Sequence, residues 1–103
     1  MKFMQIIDFE TERMDEMTEL MRQFEAASRA SGRAEHPTYR TVLRDRANPD
    51  RYVVVVEFDS YEEAMANSSH PDTTAFSQKM AGLVSRPPVF TDCDILEQSE
   101  IKW

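Results

Sequence analysis

The run RYVVVVEFD, residues 51–59, constrains the fold more than any other stretch of this chain. Successive side chains of a strand point to opposite faces, so a strand with one wet face alternates apolar and polar residues. Four consecutive valines leave neither face polar, which is the signature of a strand covered front and back. That strand belongs inside a sheet, and both covering layers have to be found.

The flanking sequence supplies one layer. KFMQIIDF, residues 2–9, reads as a strand rich in apolar and β-forming residues. After Thr11, the residues Met14, Met17, Leu20, Met21, Phe24 and Ala27 recur at helical spacing. Acids early in that segment and Arg29 and Arg33 near its end suit the helix dipole, and Gly32 is a plausible stop. The methionine stripe reads as core, with a soft ligand-facing surface as the alternative. TYRTVLRDR, residues 38–46, predicts a second strand, and ANPD a turn into the valine strand. Ser60-Tyr61-Glu62-Glu63 is a capping-box pattern that opens a short helix to about Ser68. Pro71 and Asp72 restart a second helical piece, with Phe76, Met80, Leu83 and Val84 on one apolar face. Pro87 and Pro88 end it, and VFTDCDILE, residues 89–97, predicts the last strand. The tail QSEIKW either extends that strand or drapes over another surface.

The order β-α-β-β-α-β predicts one α+β domain over residues 1–103: a ferredoxin-like four-stranded antiparallel sheet with the helices on one face. The first and third strands are then central, which suits the valine run. Helices on one face leave the other bare, and a small monomer rarely exposes that much apolar surface. The expected cover is a second copy, sheet against sheet, in a twofold homodimer. Arg40 and Arg44 on one edge strand, and Asp92 and Asp94 on the other, are candidates for setting the register between copies.

Charge bounds the partners. The net charge is −7, unevenly spread. Residues 1–28 carry seven acids and three bases, residues 29–51 three acids and six arginines, and residues 52–103 nine acids and three bases. The acidic total argues against nucleic-acid binding. The arginine-rich middle suits solvent, an anion or an acidic partner. No stretch approaches the roughly 18 apolar residues of a membrane span. MKFMQIIDFE has no A-x-A-like cleavage site, so no signal peptide is expected. With Cys93 the single cysteine, a reducing cytoplasm is the expected compartment. Two histidines and one cysteine make no metal-ligand cluster, two isolated glycines make no phosphate loop, and acids on either side of Cys93 disfavour a thiolate.

EFDSYEEAMANSSHPDTTAF resembles a segment of the dimeric α/β-barrel proteins of the antibiotic-biosynthesis-monooxygenase-like group. There a strand ends in an acidic-aromatic step and a serine-capped short helix leads into a second helix. An N-S-x-x-P-x-T turn, here Asn67 to Thr73, and a P-P-x-F-x-x-x-D step, here Pro87 to Asp94, extend the resemblance, and the element order carries it over nearly the whole chain. It implies a cavity between sheet and helices, and relatives that include cofactor-independent monooxygenases of quinols and polyketide aromatics, haem-degrading enzymes and members without known activity. Where many members have tryptophan and histidine, this chain has Phe58 and Asn67. Thr73-Thr74-Ala75-Phe76 offers no good iron ligand where haem-degrading members need a histidine, so no haem or other cofactor is expected.

The candidate catalytic residues are His70, as a base titrating near neutrality, and Asn67, as a donor to a ligand carbonyl. As alternatives, each is a helix-boundary residue. Tyr39 and Tyr52 are candidates for orienting a small aromatic ligand, or for packing. Glu57, ending a buried strand, is a ligand-binding candidate if it lacks a cationic partner. Trp103 either caps a pocket or stays unfixed. Three functions fit: a small-molecule-binding dimer, a cofactor-independent monooxygenase of a quinol or polyphenol, and a structural or regulatory dimer filled by its own side chains. A cavity of roughly 300 Å³ or more favours the first two.

Overall fold

The computed structural model describes all 103 residues. Strand β1 (Phe3–Glu10) leads to helix α1 (Met14–Ala30), strands β2 (Tyr39–Arg44) and β3 (Arg51–Phe58), helices α2 (Tyr61–Ser69) and α3 (Pro71–Ala81), and strand β4 (Val89–Asp94). The strands form one antiparallel sheet in the order β2-β3-β1-β4. The valine strand and β1 are central, as the sequence implies for the ferredoxin-like topology.

Register decides which residues share a face. Across β1 and β3, Ile7 lies opposite Val54 and Phe9 opposite Tyr52, on the helix side. The core there joins Phe9, Met17, Met21, Val54 and Met80, with Phe76, Leu83 and Val84 packed against it. A smaller cluster of Phe3, Phe58 and Ala64 closes the far end. Met17 and Met21 are buried, so the methionine stripe is core. Thr11, buried at the β1–α1 junction, donates to Leu83 O at 2.6 Å and accepts from Arg13 N at 2.9 Å. One short side chain thus ties β1, α1 and the end of α3 together.

The chain ends its elements by local means. Gly32 takes φ +66° just beyond α1, a left-handed conformation that costs glycine little. Ser60 accepts from Glu63 N at 3.1 Å to start α2, as the capping box predicts. β4 stops at Asp94, short of the expected Glu97: Ile95 N still donates to Lys2 O at 2.9 Å, and the chain then leaves the sheet. The tail has no regular structure, although Gln98 borders a groove beside Glu57. No helix is long and apolar enough to cross a membrane.

The sheet face away from the helices carries Met4, Ile6, Val53, Val55, Leu43 and Val89. Val53 and Val55 stay only partly buried, while Leu43 is 48% and Val89 54% exposed. At one margin, Asp8 binds Arg51 at 2.7 Å and Arg86 at 3.0 Å, and Arg51 also binds Asp45 at 3.0 Å. Arg51 and Arg86 hold the Asp8 carboxyl below the usual carboxylate range. Arg40, Arg44, Asp92 and Asp94 do not face this surface. Their register partners Val56, Tyr52, Gln5 and Phe3 put them on the helix side, where Arg40 binds Glu25 at 3.0 Å. These four side chains therefore do not set the register between copies across the opposite face.

Candidate functional site

Two rows of the sheet make a floor. One runs Arg40, Val56, Gln5, Asp92, and the next Val42, Val54, Ile7, Phe90. Above them, α1 contributes Met21 and Phe24, while α2 and α3 contribute Asn67, Thr73, Phe76 and Met80. Phe24 and Phe76 stack at 4.8 Å between ring centres. Between floor and roof lies a mainly apolar cavity of about 120 Å³. This is smaller than the roughly 300 Å³ set by the sequence reading. Because an apolar hole on the order of 150 Å³ holds benzene in another protein, the space suits one ring and excludes a fully enclosed polycyclic.

Two polar atoms stand out in this lining. Asn67 Oδ1 and Thr73 Oγ1 are buried and have no hydrogen-bond partner. An unpaired buried polar atom costs about 1–3 kcal/mol, so most are satisfied. These two come from opposite sides of the α2–α3 junction. Gln5 and Asp92, by contrast, satisfy each other across β1 and β4, with Gln5 Nε2 donating at 3.1 Å.

The five candidates from sequence separate. Asn67 lines the cavity. His70 does not: Pro71 opens α3, and His70 Nδ1 accepts from Asp72 N at 3.1 Å, 3.6 Å from the Asp72 carboxylate. Its ring caps a helix, so the pairing of His70 with Asn67 as base and donor is not assembled. Tyr52 stacks on Phe9 at 5.8 Å as a packing residue. Tyr39, 69% exposed, and Glu57, 5% exposed, sit opposite each other on the bare face of the sheet. There they share a groove of about 330 Å³ with Thr41 and Gln98. Glu57 Oε1 has no hydrogen bond, and its nearest cation is Lys2 Nζ at 4.0 Å. No three of the His, Cys, Asp and Glu side chains are grouped to hold a metal ion.

Thr73, Gln5, Glu25 and Arg40 were not among the candidates. Gln5 had a signal: it is the one polar residue in the alternation Phe3, Gln5, Ile7, Phe9 that faces the helices. Glu25 and Arg40 had none, because only tertiary packing brings the helix and the edge strand together.

No family model matches the chain, and no curated protein is similar to it. Solved structures are similar. SnoaB, a cofactor-independent oxygenase from Streptomyces nogalater, aligns at TM-score 0.76 with 11% identity, over 94% of this chain and 95% of its own. Rv0793 from Mycobacterium tuberculosis aligns at 0.75 with 14% identity, over 97% of this chain and 100% of its own. A Caulobacter crescentus protein, named provisionally as an antibiotic biosynthesis monooxygenase, aligns at 0.76 with 14% identity, over 93% and 91%. At such identities the likeness is one of fold: this chain has the ferredoxin-like α+β architecture of antibiotic-biosynthesis-monooxygenase-like structures.

Proposed function

We propose that this protein binds a small, single-ring aromatic molecule in the cavity between helices and sheet, and does so as a homodimer. The observation that carries the ligand reading is the pair of buried, unpartnered atoms, Asn67 Oδ1 and Thr73 Oγ1, in a mainly apolar cavity. A phenolic hydroxyl satisfies them while its ring fills the apolar space, a division of labour typical of small-molecule sites. With the cavity well short of roughly 300 Å³, the two orphaned atoms are what set this reading apart from a dimer filled by its own side chains. The homodimer covers the row of Met4, Ile6, Val53 and Val55, which the single chain leaves partly exposed, together with the more exposed Leu43 and Val89 beside it.

Titration calorimetry with a panel of monocyclic phenols tests the ligand reading. Saturable binding is expected, weakened about tenfold by Asn67→Ala, the worth of one hydrogen bond to a buried group. Absence of binding across the panel, or an Asn67→Ala variant that binds as wild type does, overturns it.

A second reading has a specific observation behind it: the fold likeness to a structure named as a cofactor-independent oxygenase. In that chemistry a hydroquinone and O₂ give a hydroxyquinone and water, and the substrate supplies all the electrons. Asn67 orients the substrate oxygen, and the apolar walls exclude water. His70 has no part in it. Oxygen-electrode traces with hydroquinones decide the matter: uptake that Asn67→Ala abolishes supports turnover, and a flat trace leaves the protein a binder.

A further inference from the structure

Four of the six arginines between residues 29 and 51 have no ion pair, and of these four Arg33 alone is drawn out of solvent with donors left unpaired. Arg51 is held by Asp8 and Asp45, and Arg40 by Glu25. Arg33 instead folds back over the Phe24 ring, with its guanidinium carbon 5.6 Å from the ring centre. Its Nη2 donates to Ser28 Oγ at 2.8 Å, but Nε and Nη1 are buried without any acceptor. Burying guanidinium donors unpaired is costly, so their expected partner is an anion.

Arg33, Arg29 and His36 border a groove of about 410 Å³. The one carboxylate lining it is Glu25, already bound to Arg40 at 3.0 Å. The groove is therefore a positive spot on a chain of net charge −7. It also adjoins the aromatic cavity, because Phe24, Glu25 and Pro37 line both. Phe24 belongs to both spaces, with the Phe76 ring stacked on it and the Arg33 guanidinium over its ring.

We propose that the ligand is an aromatic acid, its ring in the helix–sheet cavity and its carboxylate in the adjoining groove against Arg33, with Arg29 and His36 alongside. This rests on the ligand-cavity reading and adds the charge of the ligand to it. The cavity alone selects a ring, and the groove alone selects an anion. Only a molecule carrying both uses the two spaces and the unpaired donors together. Arginine suits the role because its guanidinium stays charged at all working pH values and presents several fixed donors.

The test compares 4-hydroxybenzoate with 4-hydroxybenzamide, equal in size and ring but differing in charge, by titration calorimetry against the full chain. The acid is expected to bind wild type at least about tenfold more tightly, as for charge-assisted hydrogen bonds. Arg33→Met is expected to bring that ratio near one, and Arg33→Lys to retain part of it. Equal binding of acid and amide to wild type, a ratio that needs no variant, overturns the anion assignment while the cavity reading stands. A ratio unmoved by Arg33→Met overturns the role of Arg33. If neither compound binds, the cavity reading falls and this inference with it.

Discussion

Val54 and Val55 are adjacent in sequence and opposite in fate, which makes them a sharp test of the assembly. Val54 is 3% exposed in the helix-side core, whereas Val55 lies only partly buried on the opposite face between Thr41 and Ile6. A buried aliphatic side chain contributes roughly 1.5–3 kcal/mol, so covering the exposed part of Val55 in a dimer is worth about 0.5–1 kcal/mol per copy. Val55→Asp removes that contribution and adds the desolvation of a carboxylate, several kcal/mol per ion when unpaired. Twofold symmetry counts each effect twice. At about 3 kcal/mol per carboxylate a loss of about 7 kcal/mol follows, on the order of a hundred-thousandfold in the dimer dissociation constant. Light scattering coupled to gel filtration at micromolar concentration is the assay. Wild type is expected at twice the 12.0 kDa chain mass, and Val55→Asp at one chain mass with its melting transition still cooperative. Val54→Ala should instead destabilise the fold by about 2 kcal/mol through a core cavity. A wild-type protein that runs as a single chain, or a Val55→Asp variant that stays paired, refutes the reasoning.

Three further outcomes are expected. His70→Ala should lower stability by about 1 kcal/mol in urea titrations, as loss of a helix cap does, yet leave phenol affinity unchanged; reduced affinity would return His70 to the site. Arg51 first and Arg86 second depress the Asp8 carboxyl in the folded chain, so its stabilisation is complete above the unfolded value of about 3.9 and fades as pH falls through the folded value. The stability gap between wild type and Asp8→Asn should therefore shrink below about pH 4, and a gap constant from pH 7 to 2 would contradict the ion-pair account. Gly32→Ala should cost about 1 kcal/mol from its φ of +66° alone, since nothing lies within 4 Å of the added carbon; thermal melts read this, and an unchanged midpoint would argue against the left-handed stop.

Much of the architecture was legible because its signals are local. The valine run placed β3 in the centre of the sheet, the Ser60–Glu63 capping pattern placed the start of α2, and Gly32 marked the close of α1. The helix-boundary alternative for His70 was legible too, since a residue before a proline that opens a helix stands at the capping position. The site was less so. Tyr39 and Tyr52 read alike as strand tyrosines, yet they lie on opposite faces. The β2–β3 register sets Tyr39 against Glu57 and Tyr52 against Arg44. Parity along a strand flips with a one-residue slip, and nothing in either strand's own residues reports it.

Sequence by itself determined the order of elements, the central place of the valine strand and the existence of one apolar face more than the helices can cover. These follow from side-chain periodicity and chain stereochemistry, which act over a few residues. Tertiary structure alone decided that Asn67 and Thr73 line one cavity with Val56 and Gln5, and that Arg33 lies across Phe24 beside a groove sharing lining residues with that cavity. Those juxtapositions depend on strand register and helix docking between residues far apart in the chain, and such contacts leave no mark on the local pattern.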